Sequence, residues 1–150
     1  MNLLPQSSAL RLLIVAIGVY AGYSFYKPRV YHNPANVTGD TCVGRTFCAV
    51  IYLAPWCPHC VNSMAETQNM LVRFRTPELG VRVVVGMGSQ AENTRMAEKI
   101  AAGVTLDENQ AIAKHLAVNS VPAYRILDKD GTVILTGQEA FHWLQEKYRN

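Results

Sequence analysis

Two cysteines separated by two residues, Cys57 and Cys60, carry the clearest chemistry in this sequence. Such a pair can form a disulfide with itself or exchange one with another protein. An apolar run precedes the pair and a helix-like stretch begins near Pro58, so Cys57 is expected at a helix start. Unpaired N–H groups and the helix dipole favour a thiolate there, and His59 can add positive charge or a donor. The sequence therefore predicts that Cys57 attacks and that Cys60 resolves.

The same spacing also occurs in zinc sites, which need a second ligand pair. No Cys or His pair with finger-like spacing follows, and His115 and His142 stand alone on helix-like stretches. A copper site beside the dithiol would draw on methionines, but their spacing is more typical of core positions: Met64, Met70, Met87 and Met96. Neither a metal ion nor a cofactor is predicted.

Cys42 and Cys48 lie upstream of this motif and leave three interpretations open. They could form a second disulfide, remain two free thiols, or act as a second redox relay. Cys48 falls on a predicted buried strand, where a simple packing role is also plausible.

The N-terminal residues 1–27 are predicted to form a single transmembrane anchor. No charge occurs from Leu12 to Tyr26, and with Arg11 snorkelling the apolar stretch reaches about 18–20 residues, enough for one tilted span. Aromatic residues gather at its far end, as in an interfacial belt: Tyr20, Tyr23, Phe25 and Tyr26. A cleaved signal peptide ending near Ala21 is the competing interpretation, and a buried core helix is a third.

Residues 28–45 are predicted to be a flexible tether, and residues 46–150 the folded domain. The 150 residues allow one domain with an appendage, and a net charge of +3 is too small and dispersed to indicate nucleic-acid binding. Because disulfide exchange suits an oxidising compartment, the domain is expected on the periplasmic (extracytoplasmic) side of the membrane.

The folded part is predicted to follow the order β-α-β-α-α-β-β-α, a mixed sheet with helices on both faces. Hydrophobic patterns and capping signals give the predicted strands and helices in chain order. They are a strand over Phe47–Leu53, a helix over Pro58–Arg75, a strand over Val81–Met87, a helix from Ser89 to Ala102, a helix from Asp107 to Ala117, strands over Ala123–Leu127 and Thr132–Leu135, and a helix over Gln138–Tyr148.

From Phe47 to Tyr148 the chain resembles the thioredoxin-fold thiol–disulfide oxidoreductases. The resemblance rests on Ala54-Pro55-Trp56-Cys57-Pro58-His59-Cys60, on Val118-Asn119-Ser120-Val121-Pro122-Ala123, and on Asp128-Lys129-Asp130-Gly131 with Gly137. It implies a cis proline at Pro122 that lies against the dithiol and presents the backbone of Val121 to an extended substrate segment. It also places Pro58 and His59 in the catalytic motif and Trp56 beside it, in contact with substrate.

Two branches of that family remain open. Cys-Pro-His-Cys and the valine before Pro122 resemble the DsbA-type oxidases, which slightly favours oxidation or isomerisation of protein substrates. The membrane anchor and compact size are closer to tethered reductases of the TlpA type. A non-catalytic metal chaperone or assembly factor is a further alternative. The resemblance implies substrates with thiols or disulfides and a membrane redox partner.

One position departs from the family pattern. Many relatives carry a buried acid six residues before the first active-site cysteine, where it assists proton transfer from the second thiol. Here that position is Ile51. Either water replaces the acid, or resolution of the mixed disulfide by Cys60 is slow.

Overall fold

The computed structural model describes residues 42–74, 76–101 and 103–149. The predicted anchor at residues 1–27 and most of the predicted tether at residues 28–45 therefore lie outside the described residues. Within the described ranges, no helix combines the length and the apolar character needed to cross a bilayer.

A five-stranded mixed sheet forms the centre of the domain. Its strands are β1 (Phe47–Leu53), β2 (Leu79–Gly86), β3 (Thr105–Asp107), β4 (Ala123–Asp128) and β5 (Val133–Thr136), and their order across the sheet is β3-β2-β1-β4-β5. β1 and β3 run parallel to β2, whereas β4 is antiparallel to β1 and β5. β1 is thus the central strand, as its uninterrupted apolar sequence predicts.

Among the described residues, five helices accompany the sheet: α1 (Pro58–Asn62), α2 (Met64–Arg73), α3 (Gln90–Ile100), α4 (Ala111–His115) and α5 (Gly137–Arg149). Residues of α2, α3 and α5 pack into one core cluster, and residues of α4 pack into another. The predicted α/β architecture, with a mixed sheet and helices on both faces, is confirmed.

Alternate residues of β1 belong to different core clusters, because successive side chains of a strand point to opposite faces. Ala49, Ile51 and Leu53 pack in the cluster that contains Cys57 and Cys60. Cys48, Val50 and Tyr52 pack in the other cluster, with α4. We call these two sides the dithiol face and the opposite face of the sheet.

The single helix predicted over Pro58–Arg75 is divided at Ser63 into α1 and α2. The Ser63 hydroxyl donates a hydrogen bond to the carbonyl of Cys60, at 3.1 Å. Serine side chains that bond back to the preceding turn compete with the regular helix pattern and often bend it. The divided helix leaves Cys60 on a short first segment that directly follows the active-site loop.

The helix predicted to start at Asp107 begins instead at Ala111, and residues Thr105–Asp107 form the edge strand β3, which the sequence pattern did not predict. Asp107 nevertheless interacts with the start of this helix through its side chain. Its buried carboxylate accepts hydrogen bonds from the N–H groups of Ile112 and Ala113 and from the hydroxyl of Tyr52. Three residues are too few to give a strand a recognisable period.

Candidate active site

Cys57 and Cys60 are brought together at the end of β1, where the chain turns into α1. Both are free thiols, and Cys57 is the N-cap residue of α1 with Pro58 in its first turn. The Cys57 sulfur accepts a hydrogen bond from the N–H of Cys60, at 3.3 Å. This is the helix-start environment that the sequence predicts, and it stabilises negative charge on Cys57.

The two thiols differ in access to solvent. Cys57 retains 4% of its surface and Cys60 none. Burial, and then the hydrogen bond with Cys57, raise the pKa of Cys60 to about 12. Cys60 is therefore held as a buried neutral thiol behind Cys57, which leaves Cys57 as the thiol that meets a substrate first.

Alkylation of the reduced protein should separate the two thiols. With a pKa of about 12, only about one Cys60 in 10⁵ is ionised at pH 7, and its thiolate fraction rises only as the pH approaches that value. We expect iodoacetamide at pH 7 to modify Cys57 and to leave Cys60 unmodified, as read by peptide mass spectrometry. Both should react at similar rates in urea, where burial is removed. Equal labelling of the folded protein would contradict this assignment.

Trp56 lies beside the dithiol with 62% of its surface exposed. Its indole N–H donates a hydrogen bond to the carbonyl of Met87, at 2.9 Å, so the ring is held while one side faces solvent. Met87 adopts a left-handed backbone conformation with φ of 63°, which is uncommon for a residue with a side chain. A fixed, exposed aromatic ring is suited to contact a protein substrate.

The loop after β2 supports the active-site loop, a role that sequence reasoning missed. Gly88 lies against Pro55, and a Cβ at Gly88 would fall 2.4 Å from the Pro55 ring. The buried side chain of Asn93 bonds to both the N–H and the carbonyl of Gly88. In the sequence, the glycine between Met87 and Ser89 was the feature that could have indicated this close contact.

The Val121–Pro122 peptide bond is cis. The Cys57 thiol donates to the carbonyl oxygen of Val121, with 3.5 Å between sulfur and oxygen. Val121 is half-buried and contacts both core clusters. The structure therefore brings the backbone of Val121 to the attacking sulfur, with Pro122 as the next residue in the chain.

Pro58 and His59 are both exposed on α1, on the solvent side of the motif. Ile51 is fully buried on the dithiol face, at the position where the family resemblance implies an acid. The β1 residues buried on the dithiol face, Ala49, Ile51 and Leu53, therefore include no ionisable side chain.

Cys42 and Cys48 form a disulfide, with 5.3 Å between their Cα atoms. Both are buried on the opposite face of the sheet, at the far end of β1 from the dithiol. The sheet therefore separates the two sulfur pairs, which favours a structural role over a second redox relay.

Among the residues described, no three His, Cys, Asp or Glu side chains come together in a group that could hold a metal ion.

Residues 21–149 match the protein-family model described as Redoxin. A search of curated proteins found no significant match. Among solved structures, dsbF of MTB superposes with a TM-score of 0.56 at 19% identity, covering 69% of this chain and 81% of that one. The exposed lipoprotein thioredoxin Etrx1 of Streptococcus pneumoniae gives a TM-score of 0.55 at 21% identity, covering 69% of this chain and 85% of that one. A protein of Chlorobium tepidum described as a thiol:disulfide interchange protein DsbE gives a TM-score of 0.57 at 18% identity, covering 70% of this chain and 80% of that one. These likenesses establish a thioredoxin-like fold.

Proposed function

Because this chain belongs to the Redoxin family and is a thiol–disulfide oxidoreductase, we propose that it exchanges disulfides with extended segments of extracytoplasmic proteins. The observation that carries the proposal is the position of the Cys57 sulfur. It lies at the helix start, 3.5 Å from the Val121 carbonyl oxygen, with the fully buried Cys60 behind it. Substrate backbone that pairs beside Val121 would bring its own sulfur to Cys57.

The exchange passes through a mixed disulfide. In the oxidising direction a substrate thiolate attacks the sulfur of Cys57, the Cys57–Cys60 bond breaks, and Cys60 leaves as a thiolate that takes up a proton. A second substrate thiolate then displaces Cys57, so the substrate gains a disulfide and the enzyme gains two thiols. The reducing direction runs these steps backwards, with Cys60 displacing the substrate.

We favour oxidation or isomerisation as the direction of exchange. The N–H of Cys60 donates to the Cys57 sulfur at the start of α1, and both features stabilise the thiolate of the reduced enzyme. Stabilising the reduced form makes the disulfide form a stronger oxidant.

A tethered reductase of the TlpA type is the second candidate. It is supported by the compact connection from Cys60 to Pro122, which consists of α2, β2, α3, β3 and α4 and has no large helical insertion among the described residues. The solved structures similar to this chain include an exposed lipoprotein thioredoxin and a DsbE-type protein, and such likeness is compatible with either direction.

The proposed location is the extracytoplasmic side of a membrane, with residues 1–27 as the anchor and a membrane protein as redox partner. The Cys42–Cys48 disulfide supports this placement, because such bonds persist in oxidising compartments. Membrane fractionation with protease digestion of intact cells tests it. Recovery of a shortened soluble protein would favour the cleaved signal peptide.

The reduction potential of the Cys57–Cys60 couple decides the direction. We expect a value above about −200 mV, towards the oxidising end of the range for this fold. Equilibration in glutathione buffers, acid quenching and mass spectrometry of the active-site peptide measure this couple without interference from Cys42–Cys48. A value near or below about −270 mV would establish the reductase instead.

A further inference from the structure

A cleft opens beside the dithiol, between α1 and α2 on one side and α3 on the other. We call it the α1–α3 cleft, and its volume is about 200 Å³. Its lining includes Pro55, two residues before Cys57, and Val61, which directly follows Cys60. The N–H of Val61 donates to the carbonyl of Cys57, at 3.1 Å, so the two residues are one helical turn apart. A turn rises about 5.4 Å, which an extended substrate chain covers in about two residues.

One part of the lining is apolar. It consists of Pro55, Val61, Met64 and Met96. Methionine side chains are unbranched and flexible, so a surface that contains them can accept apolar groups of different shapes. Val61 also keeps 43% of its surface exposed. This part of the cleft is therefore suited to an apolar side chain of a substrate that has reached the dithiol.

The other part of the lining is charged and lies on α3. It consists of Glu92, Arg95 and Lys99. The Glu92 carboxylate accepts hydrogen bonds from the N–H and the hydroxyl of Ser89, at 2.9 and 2.6 Å, which hold it at the start of α3. Arg95 and Lys99 follow about one and two turns later, and both are exposed. Positive charge therefore prevails along this side of the cleft, and it is complementary to a carboxylate.

The two sides of the cleft are fixed relative to each other. On α2, the amide of Gln68 donates to the carbonyl of Lys99 at the end of α3, at 2.6 Å. At the start of α3, the Asn93 side chain bonds to both backbone groups of Gly88, which lies against Pro55. Binding in a cleft that is already formed costs little additional ordering.

We propose that the α1–α3 cleft selects the substrates of this protein. The cleft takes an apolar side chain that lies about two to four residues from the reactive cysteine, and Arg95 and Lys99 attract a carboxylate beside that side chain. The preferred substrate is thus an extended protein segment whose cysteine is flanked by an apolar and an acidic residue. The continuity of the cleft with the dithiol and its excess of positive charge support this choice. The inference rests on the proposed function, since it names the substrates of that exchange.

The rate of mixed-disulfide formation measures such selection in either direction of exchange. Full-length Cys60→Ser protein is mixed with peptides whose single cysteine carries a thiopyridyl group. The Cys57 thiolate attacks the peptide sulfur, the enzyme–peptide disulfide forms, and thiopyridone leaves with the electron pair of the broken bond. Four peptides carry leucine or serine three residues after the cysteine, followed by glutamate or lysine. A second set carries the same residues before the cysteine.

In one of the two sets, we expect the leucine peptides to react on the order of tenfold faster than the serine peptides, because burial of a leucine side chain is worth at least about that factor in affinity. Val61→Ser should reduce this ratio about threefold, since it removes exposed apolar surface from the cleft, and should leave the serine peptides at their original rate. The glutamate peptides should exceed the lysine peptides about threefold at low salt and less at high salt.

The double variant Arg95→Glu, Lys99→Glu should reverse the charge preference, so that the lysine peptides react faster than the glutamate peptides. A protein that gains rate on one peptide has kept its fold, so this result separates selection from misfolding. Lys114→Glu, Lys129→Glu is the matched control, because it changes the net charge by the same amount at exposed positions outside the cleft. It should keep the original order of the peptides.

Equal rates for the leucine and serine peptides in both sets would overturn the inference. An unchanged charge preference in Arg95→Glu, Lys99→Glu, or the same reversal in the control, would overturn it as well. Equal rates together with a dimer that Val61→Ser dissociates in sedimentation equilibrium would assign the cleft to a second copy of the chain. If no peptide released thiopyridone, the proposed function itself would fail, so the two failures are distinct.

Discussion

Replacing Cys57 with serine should abolish disulfide exchange, with a loss on the order of a thousandfold or more, because no other sulfur can take its place. Cys60 is fully buried, and the Cys42–Cys48 disulfide lies on the opposite face of the sheet. Replacing Cys60 with serine should instead preserve the first attack and stop the reaction at the mixed disulfide. The two substitutions are therefore expected to stop disulfide exchange at different steps.

Non-reducing gels of membranes from cells that express each variant provide the measurement. Cys60→Ser should accumulate covalent adducts that disappear under reductant, and Cys57→Ser should give none. Asn62→Ser, at an exposed position on α1 just after Val61, is a matched control and should behave as wild type. If Cys60→Ser gave no reducible adducts while the wild type exchanged disulfides, resolution by Cys60 would be wrong.

Removing the Cys42–Cys48 bond should have the largest effect on stability. Its sequence separation is 6, and the loop-closure model gives about 2 kcal/mol for a ring of that size. For a domain of this length that corresponds to a fall of roughly 10 °C in melting temperature. The double variant Cys42→Ala, Cys48→Ala should show this loss and still catalyse exchange below its melting temperature.

The comparison is cleanest when the active-site cysteines are already serine. In a Cys57→Ser, Cys60→Ser background, the proteins with and without Cys42–Cys48 differ only in that bond, so urea unfolding measures its contribution. Disulfide exchange is assayed separately, in the Cys42→Ala, Cys48→Ala protein that retains Cys57 and Cys60. Loss of exchange in the folded Cys42→Ala, Cys48→Ala protein would restore the interpretation of this pair as a second redox relay.

Sequence reasoning succeeded where a local pattern determines the structure. The β1 run is apolar at every position because both faces of a central strand are buried, and its observed limits match the prediction of Phe47–Leu53. The helix predicted to start at Ser89 does so, because Ser89 and Glu92 form a capping box in which each side chain bonds to the other's backbone. The Cys-x-x-Cys motif is equally local, since Cys57 and Cys60 share one turn.

The remaining features depend on tertiary contacts that no local pattern encodes. β3 is a short strand whose existence depends on pairing with β2. The contact of Gly88 with Pro55 joins two loops that are distant in sequence. The position of Tyr124 beside Ile51 follows from the register of β1 and β4, and the strand pattern alone does not fix that register.

The placement of the four sulfur atoms also has a consequence for biosynthesis. A newly made chain with four cysteines can form two disulfides in three ways, and only one of them yields the pairs Cys42–Cys48 and Cys57–Cys60. Cys48 and Cys57 are consecutive cysteines in the sequence, but in the folded domain they lie on opposite faces of the sheet. Once β1 has paired with its neighbours, scrambling between the two pairs is blocked by the sheet itself.

Maturation of this protein therefore requires a donor of oxidising equivalents. The Cys42–Cys48 bond must be made by another catalyst or by another copy of the same chain, because the Cys57 sulfur cannot cross the sheet to reach it. After that, each catalytic turnover cycles one dithiol and leaves the other bond untouched.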